Sequence, residues 1–319
     1  MRLLPRTPRG RRRLVLGLGA IASLVVLIAW QLGWFSAPKD WEQATGWDRI
    51  PDEQRPPDGP AWTPRDAQDE PPVIAWLGHS GFQIRWKGQQ VLLDPNTSAR
   101  CTITRRVMEP AVDVATLGHV DAVVISHAHF DHLDLPTLER LESVSVIALP
   151  RGAERYFVGE RWKGTRFAPL DPWECTSVGP LEICGVVAQH NGNRAHPFAS
   201  PIGALGYVIR SGPDALYFAG DTGAAAPFAA IRDRFHPRLA ILPIGAWLPR
   251  IPMKYYHLSP EEAVDAARLM GVETVIPCHF GTFRVSWDAP SWALPRFAAA
   301  AREHGVAWRM PHLLTRAAP

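Results

Sequence analysis

Past residue 72 the chain alternates short apolar runs with polar breaks containing Gly, Pro, Asn and Asp. Runs of strand length fall at residues 73–76, 82–86, 91–93, 122–125, 144–148, 181–188, 205–209, 216–219, 239–242 and 274–276. Short length and bounding turn residues favour strands over helices. The run Ala122, Val123, Val124, Ile125 is uncharged and mostly β-branched, which predicts a buried strand. Helical spacing predicts helices over 136–142, 151–158, 226–234, 260–270 and 293–304. The start at 260 is well marked: Ser259 precedes Pro260, Glu261 and Glu262, which sets carboxylates at the positive end of the helix dipole. Strands that first follow one another and then mix with helices predict an α/β fold, two sheets covered on the outside by helices.

The N-terminal pattern is different. Residues 14–35 carry no charge and are interrupted by polar side chains only at Ser23 and Gln31. A helix of that length reaches about 33 Å, enough for a hydrocarbon core of about 30 Å. The expectation is a single-pass transmembrane helix. A cleaved signal peptide would have a shorter apolar region and a small-x-small site, and Phe35-Ser36-Ala37 before Pro38 is a poor one. Arg11, Arg12 and Arg13 at its start predict a cytoplasmic N-terminus, with the body on the outer, periplasmic or extracellular, side. Trp30 and Trp34 fit an interfacial belt, and the Gly10-to-Val15 segment resembles a twin-arginine export signal. The expected organisation is a basic N-terminus and anchor over 1–37, a Pro- and Trp-rich linker over 38–70 (Trp41, Trp47, Trp62), and a catalytic domain over 71–315.

Composition changes this picture in two places. The formal charge of +3 owes its sign to Arg2, Arg6, Arg9, Arg11, Arg12 and Arg13; beyond residue 37 acids slightly outnumber bases. A body without basic excess argues against a nucleic-acid partner. The cysteines, Cys101, Cys175, Cys184 and Cys278, show no C-x-x-C spacing, so a structural zinc or dithiol site is not expected. Cys175 and Cys184 could face each other across a hairpin turning at Gly179-Pro180 and form a disulfide, but two half-buried thiols are the commoner case and the expectation.

The chemistry concentrates in His127-Ala128-His129-Phe130-Asp131-His132, directly after the run at 122–125. In the extended part, His127 and His129 point the same way, and the turn that follows aims Asp131 and His132 at a neighbouring point. Asp134 sits where a helix cap belongs, with Pro136 in the first turn. Further metal-capable residues end other strands: His190 after 181–188, Asp221 in Gly220-Asp221-Thr222-Gly223, and His279 in Cys278-His279-Phe280-Gly281. Five histidines and two aspartates suit two zinc ions sharing a carboxylate and a hydroxide.

These residues resemble the metallo-β-lactamase superfamily, with its His-x-His-x-Asp-His motif. Within it the chain is most similar to the N-acyl-phosphatidylethanolamine-hydrolysing phospholipase D family and the ascorbate-phosphate lactonase-like proteins. The matching text includes Trp76-Leu77-Gly78-His79, Leu93-Asp94-Pro95, Ser126 to Asp134, Phe218 to Gly223, Pro243 to Ala246 and His279 to Phe283. The resemblance implies an αββα sandwich with the site at one edge of the sheets. It also implies that His127, His129 and His190 hold a first zinc, that Asp131, His132 and His279 hold a second, and that Asp221 bridges them. Manganese or iron are the alternatives. A bridging Asp221 is unlike true β-lactamases, and His129 in place of glutamate favours zinc over a di-iron, oxygen-reducing site. One departure stands out: Asn191, not an aromatic residue, follows His190.

The expected activity is membrane-tethered hydrolysis of a phospholipid or small phosphodiester by a metal-bridging hydroxide. Asp131 or Asp221 would accept the proton, and His257 or His79 would orient groups or protonate the leaving group. Arg250, Lys254 and Tyr255, on a Pro-rich loop, would clamp the phosphate. A lactonase or other ester hydrolase with the same metals is the alternative reading. The non-enzymatic reading, a membrane-attached binding or scaffold protein, is disfavoured because all seven ligand positions are filled.

Overall fold

The computed structural model describes residues 8–31, 39–57, 71–110, 113–194 and 201–310. The first sheet begins with an antiparallel meander, β1 (Val73–Gly78), β2 (Gly81–Trp86) and β3 (Gln89–Leu93). The chain then makes a small hairpin, β4 (Arg100–Cys101) and β5 (Thr104–Arg105). It returns as β6 (His119–Val124), β7 (Ser143–Pro150) and β8 (Arg166–Leu170), which add in parallel beside β3. The second sheet repeats the scheme. An antiparallel meander of β9 (Cys175–Val178), β10 (Leu181–Asn191), β11 (Gly203–Ser211) and β12 (Asp214–Phe218) is extended in parallel by β13 (Leu239–Pro243) and β14 (Thr274–Cys278).

Alternation along β3, β6 and β7 shows how the sheets share a core. Val91, Leu93, Ala122, Val124, Val146 and Ala148 face the second sheet, where they join Ile183, Tyr207 and Phe218 in one buried cluster. Leu92, Val123 and Ile147 face the other way, against Leu138, Leu141 and Trp162. Both faces are therefore dry, and such strands read as continuous apolar runs. α3 (Leu135–Glu139) covers the first sheet; α4 (Phe228–Phe235), α6 (Pro260–Met270) and α7 (Ala293–Glu303) bury Ile231, Ala263, Val264, Phe297 and Ala301 behind the second. This is the expected αββα arrangement. The marked start of α6 is a capping box: the Ser259 hydroxyl accepts from the Glu262 N–H, and the Glu262 carboxylate accepts from the Ser259 N–H.

The membrane expectation is overturned. It rested on α1 (Pro8–Gln31), but among the described residues no helix is long and apolar enough to cross a membrane. Arg9, Arg11, Arg12 and Arg13 occupy the first turns of α1, and the uncharged part of the helix after them, residues 14–31, spans about 27 Å at helical rise against a core of about 30 Å. The far end of α1 meets the body instead of a lipid interface: Ala29 is buried, and the Arg284 guanidinium lies 5.8 Å from the Trp30 ring centroid. The single-pass placement, and with it the assignment of the body to an outer side, is withdrawn. Trp34 and Trp62 lie outside the described residues.

Residues 39–57 pack on the body. α2 (Trp41–Thr45) places Trp41 5.4 Å from Trp47, which in turn meets Trp308 at 6.4 Å. A second correction concerns sulfur. Cys175 and Cys184 are not free thiols but form a disulfide, because the β9–β10 ladder sets them directly opposite one another. The helix expected over 151–158 is a single 3₁₀ turn, Ala153–Tyr156.

Candidate metal centre

The seven expected ligands, with His79 and His257, come together at one edge of the two sheets, on the loops that leave β1, β6, β12 and β14, at the end of β10 and on the segment after Met253. Close approach of the two halves demands glycine at Gly220, with φ +57: a Cβ there would lie 2.5 Å from the Cβ of Ser126. The β10 ladder is irregular between Val187 and Asn191, and that irregularity turns His190 toward the centre. His79, Asp94, Ala246 and His279 all hold left-handed φ values, between 35° and 61°. Non-glycine residues adopt this region rarely, and such strain collects where surrounding structure fixes a functional geometry. Here the His279 N–H donates to the His79 carbonyl at 3.0 Å, and the His79 N–H donates to the Thr282 hydroxyl at 2.6 Å.

Asp221 is the hub. Its Oδ2 lies 3.1 Å from His132 Nε2, 3.2 Å from His279 Nε2, 3.8 Å from His127 Nε2, 3.9 Å from His190 Nε2 and 3.8 Å from His257 Nδ1. On one side of it His129 Nδ1 sits 2.9 Å from His127 Nε2 and 3.2 Å from His190 Nε2. On the other, Asp131 Oδ2 lies 3.0 Å from His79 Nε2 and 3.6 Å from both His132 Nε2 and His279 Nε2. Two metal-capable groups, His127 with His129 and His190, and His79 with Asp131, His132 and His279, therefore flank one carboxylate.

Hydrogen bonds outside the centre set which nitrogens face inward. Asp94, fully buried, accepts from the Ser126 N–H at 2.7 Å, from the Ser126 hydroxyl, and from His132 Nδ1–H at 2.7 Å. The Ser126 oxygen in turn accepts from His127 Nδ1–H at 2.9 Å. His190 Nδ1–H donates to the Tyr256 carbonyl at 2.9 Å. In all three rings Nδ1 carries the proton, which leaves the Nε2 lone pair to the centre.

The charges are arranged for a cation. Burial holds His190 down at about 4 and His79 at about 3, the latter helped by repulsion from His279; burial also keeps His127 and His257 well below the ordinary histidine range. For His279 burial is outweighed by Asp221 and Asp131, which push it up to about 9, and His132 is raised well above its ordinary value by Asp221, Asp131 and Asp94 against the same burial. Asp131 and Asp221 stay well below the usual carboxylate range, since His132 and its neighbours outweigh burial. Without a metal, imidazolium protons balance the two carboxylates; divalent cations take the place of such protons.

The residues fit a metal on two further counts. Among the described residues, buried His132 Nε2, His279 Nε2, His257 Nδ1 and Asp221 Oδ1 find no partner in hydrogen-bond geometry, a costly state unless another partner is provided. The nitrogens of His127, His129 and His190 that crowd within 2.9 and 3.2 Å of one another approach the roughly 3.4 Å edge of a tetrahedron with Zn–N bonds of about 2.0–2.1 Å.

Comparison with known proteins agrees. The family model described as the Beta-lactamase superfamily domain matches residues 89–280. The chain belongs to the beta-lactamase superfamily. A metal-dependent hydrolase of Solibacter usitatus is 33% identical over 226 residues, covering 66% of this chain and 85% of that one. An N-acyl-phosphatidylethanolamine-hydrolyzing phospholipase D of Caenorhabditis elegans is 29% identical over 225 residues, covering 65% of this chain and 63% of that one. The chain spans 65% of the length of the uncharacterized mycobacterial relatives it matches at 34% identity. Among solved structures, the metallo hydrolase Igni18 of Ignicoccus hospitalis has the same fold, with a TM-score of 0.56 and 22% identity over 74% of this chain and 93% of that one. The domain is thus a metal-dependent hydrolase of this superfamily.

Several residues of this superfamily domain that support the centre had no assigned role in the sequence reading. Asp94 is the chief one. An acidic residue that ends an otherwise apolar strand is the signal that marks it. Asn96 donates to the Phe130 and Asp131 carbonyls at 3.4 and 3.3 Å. Arg106, buried beneath, donates to the carbonyls of Asn96, Ser98 and Leu77 and stacks 4.9 Å from the Phe283 ring centroid.

The expected phosphate clamp divides. Arg250, in α5 (Arg250–Met253), donates from Nη2 to both carboxylate oxygens of Glu262 of α6 and from Nη1 to the His257 carbonyl at 3.1 Å, so it holds the loop in place. Lys254 and Tyr255 stand on that loop with the Lys254 ammonium 5.0 Å from the Tyr255 ring centroid, and Tyr255 is exposed. The loop reaches the centre through the Tyr256 carbonyl on His190 and through His257 itself.

Proposed function

We propose that the protein is a dinuclear zinc phosphodiesterase whose substrate is a phospholipid-type or smaller phosphodiester. The observation that carries this reading is Asp221 Oδ2, placed between a three-histidine group and a group containing Asp131. His127, His129 and His190 would hold the first ion; Asp131, His132 and His279 would hold the second, with Asp221 shared. When bound, a zinc pair supplies Lewis-acid charge and activates water at neutral pH. The chain's own groups then have defined tasks. Asp94 and Ser126 keep His127 and His132 in the tautomer that offers Nε2. Asp131 or Asp221 accepts the proton released from water. His257, buried 3.8 Å from Asp221 and kept neutral by burial, is placed to orient the leaving oxygen through a hydrogen bond. His79, fixed on Asp131 at 3.0 Å, orients that carboxylate.

Phosphodiesters are favoured over lactones by the similarity to the C. elegans phospholipase D, and exposed aromatic residues at Phe130, Tyr255 and Tyr256 give the edge of the centre an apolar rim. The test is hydrolysis by the full chain of bis(p-nitrophenyl) phosphate, an N-acylated phosphatidylethanolamine and a small lactone, with zinc quantified on the same sample. Metal-dependent turnover of the diesters is expected. Lactone turnover alone by zinc-loaded protein would replace this reading with the ester-hydrolase one.

A further inference from the structure

The ligand loop from His127 to His132 is irregular backbone, and several carbonyls in it and beside it accept from partners elsewhere in the chain. The Ser126 carbonyl accepts from Leu205 N–H, and those of Phe130 and Asp131 accept from Asn96. The carbonyls at the two ends of the turn, Ala128 and Leu133, accept from a single side chain, Arg194: Nε donates to Ala128 at 2.7 Å and Nη2 donates to Leu133. The same guanidinium lies over two aromatic rings, with centroids 4.1 Å away at Phe130 and 5.0 Å away at Tyr156. The backbone of its segment adds a further link, Ala128 N–H to the Gly192 carbonyl at 3.0 Å.

We propose that Arg194 is the positioning residue that holds the ligand loop in its metal-binding shape, acting as a clasp between the two halves of the domain. The inference goes beyond the proposed function and rests only on the metal assignment. Arg194 lies four residues after His190, on the connection that leaves β10, whereas the loop it clasps follows β6 of the first sheet. A first ion held by His127, His129 and His190 would tie these same two segments together. Arg194 is a second tie between the same two segments, made by the protein's own side chain. Arginine suits the task because its planar fork offers donors in fixed directions that reach two carbonyls at once; a lysine ammonium is a single point on a flexible stem. The tight stacking on Phe130 fixes the ring that stands between His129 and Asp131.

The test compares Arg194→Ala, Arg194→Lys and the unaltered protein, all zinc-loaded, by the rate at which zinc passes to a chromogenic chelator. Melting temperatures are recorded with and without metal. Outer partners of metal ligands typically carry about ten- to a hundredfold in metal affinity, so zinc release from Arg194→Ala is expected to be faster by that range. Arg194→Lys should recover only part of it, and added methylguanidinium should slow release from the alanine variant. If Arg194→Ala does not yield folded protein, Arg194→Lys with the same two measurements decides. Zinc release at the unaltered rate from either variant overturns the proposal. So does faster release that methylguanidinium leaves untouched while both melting temperatures fall equally, because that pattern is general loss of stability. Neither outcome depends on which substrate the protein hydrolyses.

Discussion

Asp94→Asn is the substitution in which the geometry commits itself most. The wild-type carboxylate is fully buried and accepts three hydrogen bonds, from Ser126 N–H, Ser126 Oγ–H and His132 Nδ1–H. An asparagine of the same shape has one acceptor and one donor end. If its oxygen keeps the Ser126 N–H, its NH₂ faces His132 Nδ1, which must then become the acceptor. The ring proton moves to Nε2, and His132 can no longer ligate. The opposite amide orientation sets two donors against each other at the Ser126 N–H. Hydrogen bonds to a charged group are worth about 1.5–3 kcal/mol and neutral ones about 0.5–1.5, so replacing three should cost about 3 kcal/mol. For a domain of this size that is a fall of roughly 6–12 °C in Tm. The metal effect should exceed the ordinary outer-partner range of about ten- to a hundredfold only if the tautomer is lost outright. Titration with zinc against a competing chelator, resolved into its steps, and calorimetry of the same samples provide the readouts. An asparagine variant that binds every zinc equivalent with wild-type affinity would refute the tautomer argument, whatever its stability.

Other consequences follow from the same structure. Asp221→Asn removes the charge that five imidazole nitrogens surround; zinc content should fall and hydrolysis should drop by about 10²–10³-fold, the scale on which a central electrostatic group acts, as steady-state rates with metal analysis will show. Metal-free protein should lose stability as pH falls from 6.5 towards 4, because burial holds His190 near 4 and His79 near 3 and the unfolded chain takes up protons in that window that the folded chain refuses. At about 1.4 kcal/mol per pH unit, His190 alone accounts for roughly 3 kcal/mol. His279, raised to about 9, is protonated in both states below 6.5; its contribution is lost only as pH rises through about 9. Urea denaturation of chelator-treated protein at pH 7.0, 5.5 and 4.5 checks the sign, and a flat profile would contradict it. Reducing Cys175–Cys184, which closes a loop with a sequence separation of 9, should cost about 2–3 kcal/mol, seen as a lower urea midpoint with dithiothreitol and no change in zinc content.

Much of the fold was legible because the strands that carry it are buried on both faces. The runs at 91–93, 122–125 and 239–242 show nothing but apolar residues, the run at 274–276 adds only Thr274, and each became a strand. The strand Arg166–Leu170 hid because only Ala168 and Leu170 of it are buried and it includes Pro169, and the β4–β5 hairpin because two-residue strands leave no period to read. The 22 uncharged residues at the N-terminus misled through length alone, since the contact of α1 with Arg284 is not written in hydropathy. At the centre, residue type and strand-end position brought out His127, His129, Asp131, His132, His190, Asp221 and His279, which the structure gathers. The supporting residues were harder. Arg194 and Asn96 act on backbone carbonyls, and a side chain's partner across the fold leaves no local pattern. Arg250 illustrates the reverse case: its loop position invited a substrate role, while Glu262, on the next helix, takes its charge.

The most direct test of the central claim is zinc stoichiometry of the purified full chain after stripping and titration, beside His129→Ala and His279→Ala, which sit in different groups around Asp221. The account predicts two equivalents in the unaltered protein and the loss of a different one in each variant. A single equivalent, or both variants still holding two, would contradict a dinuclear centre built around Asp221.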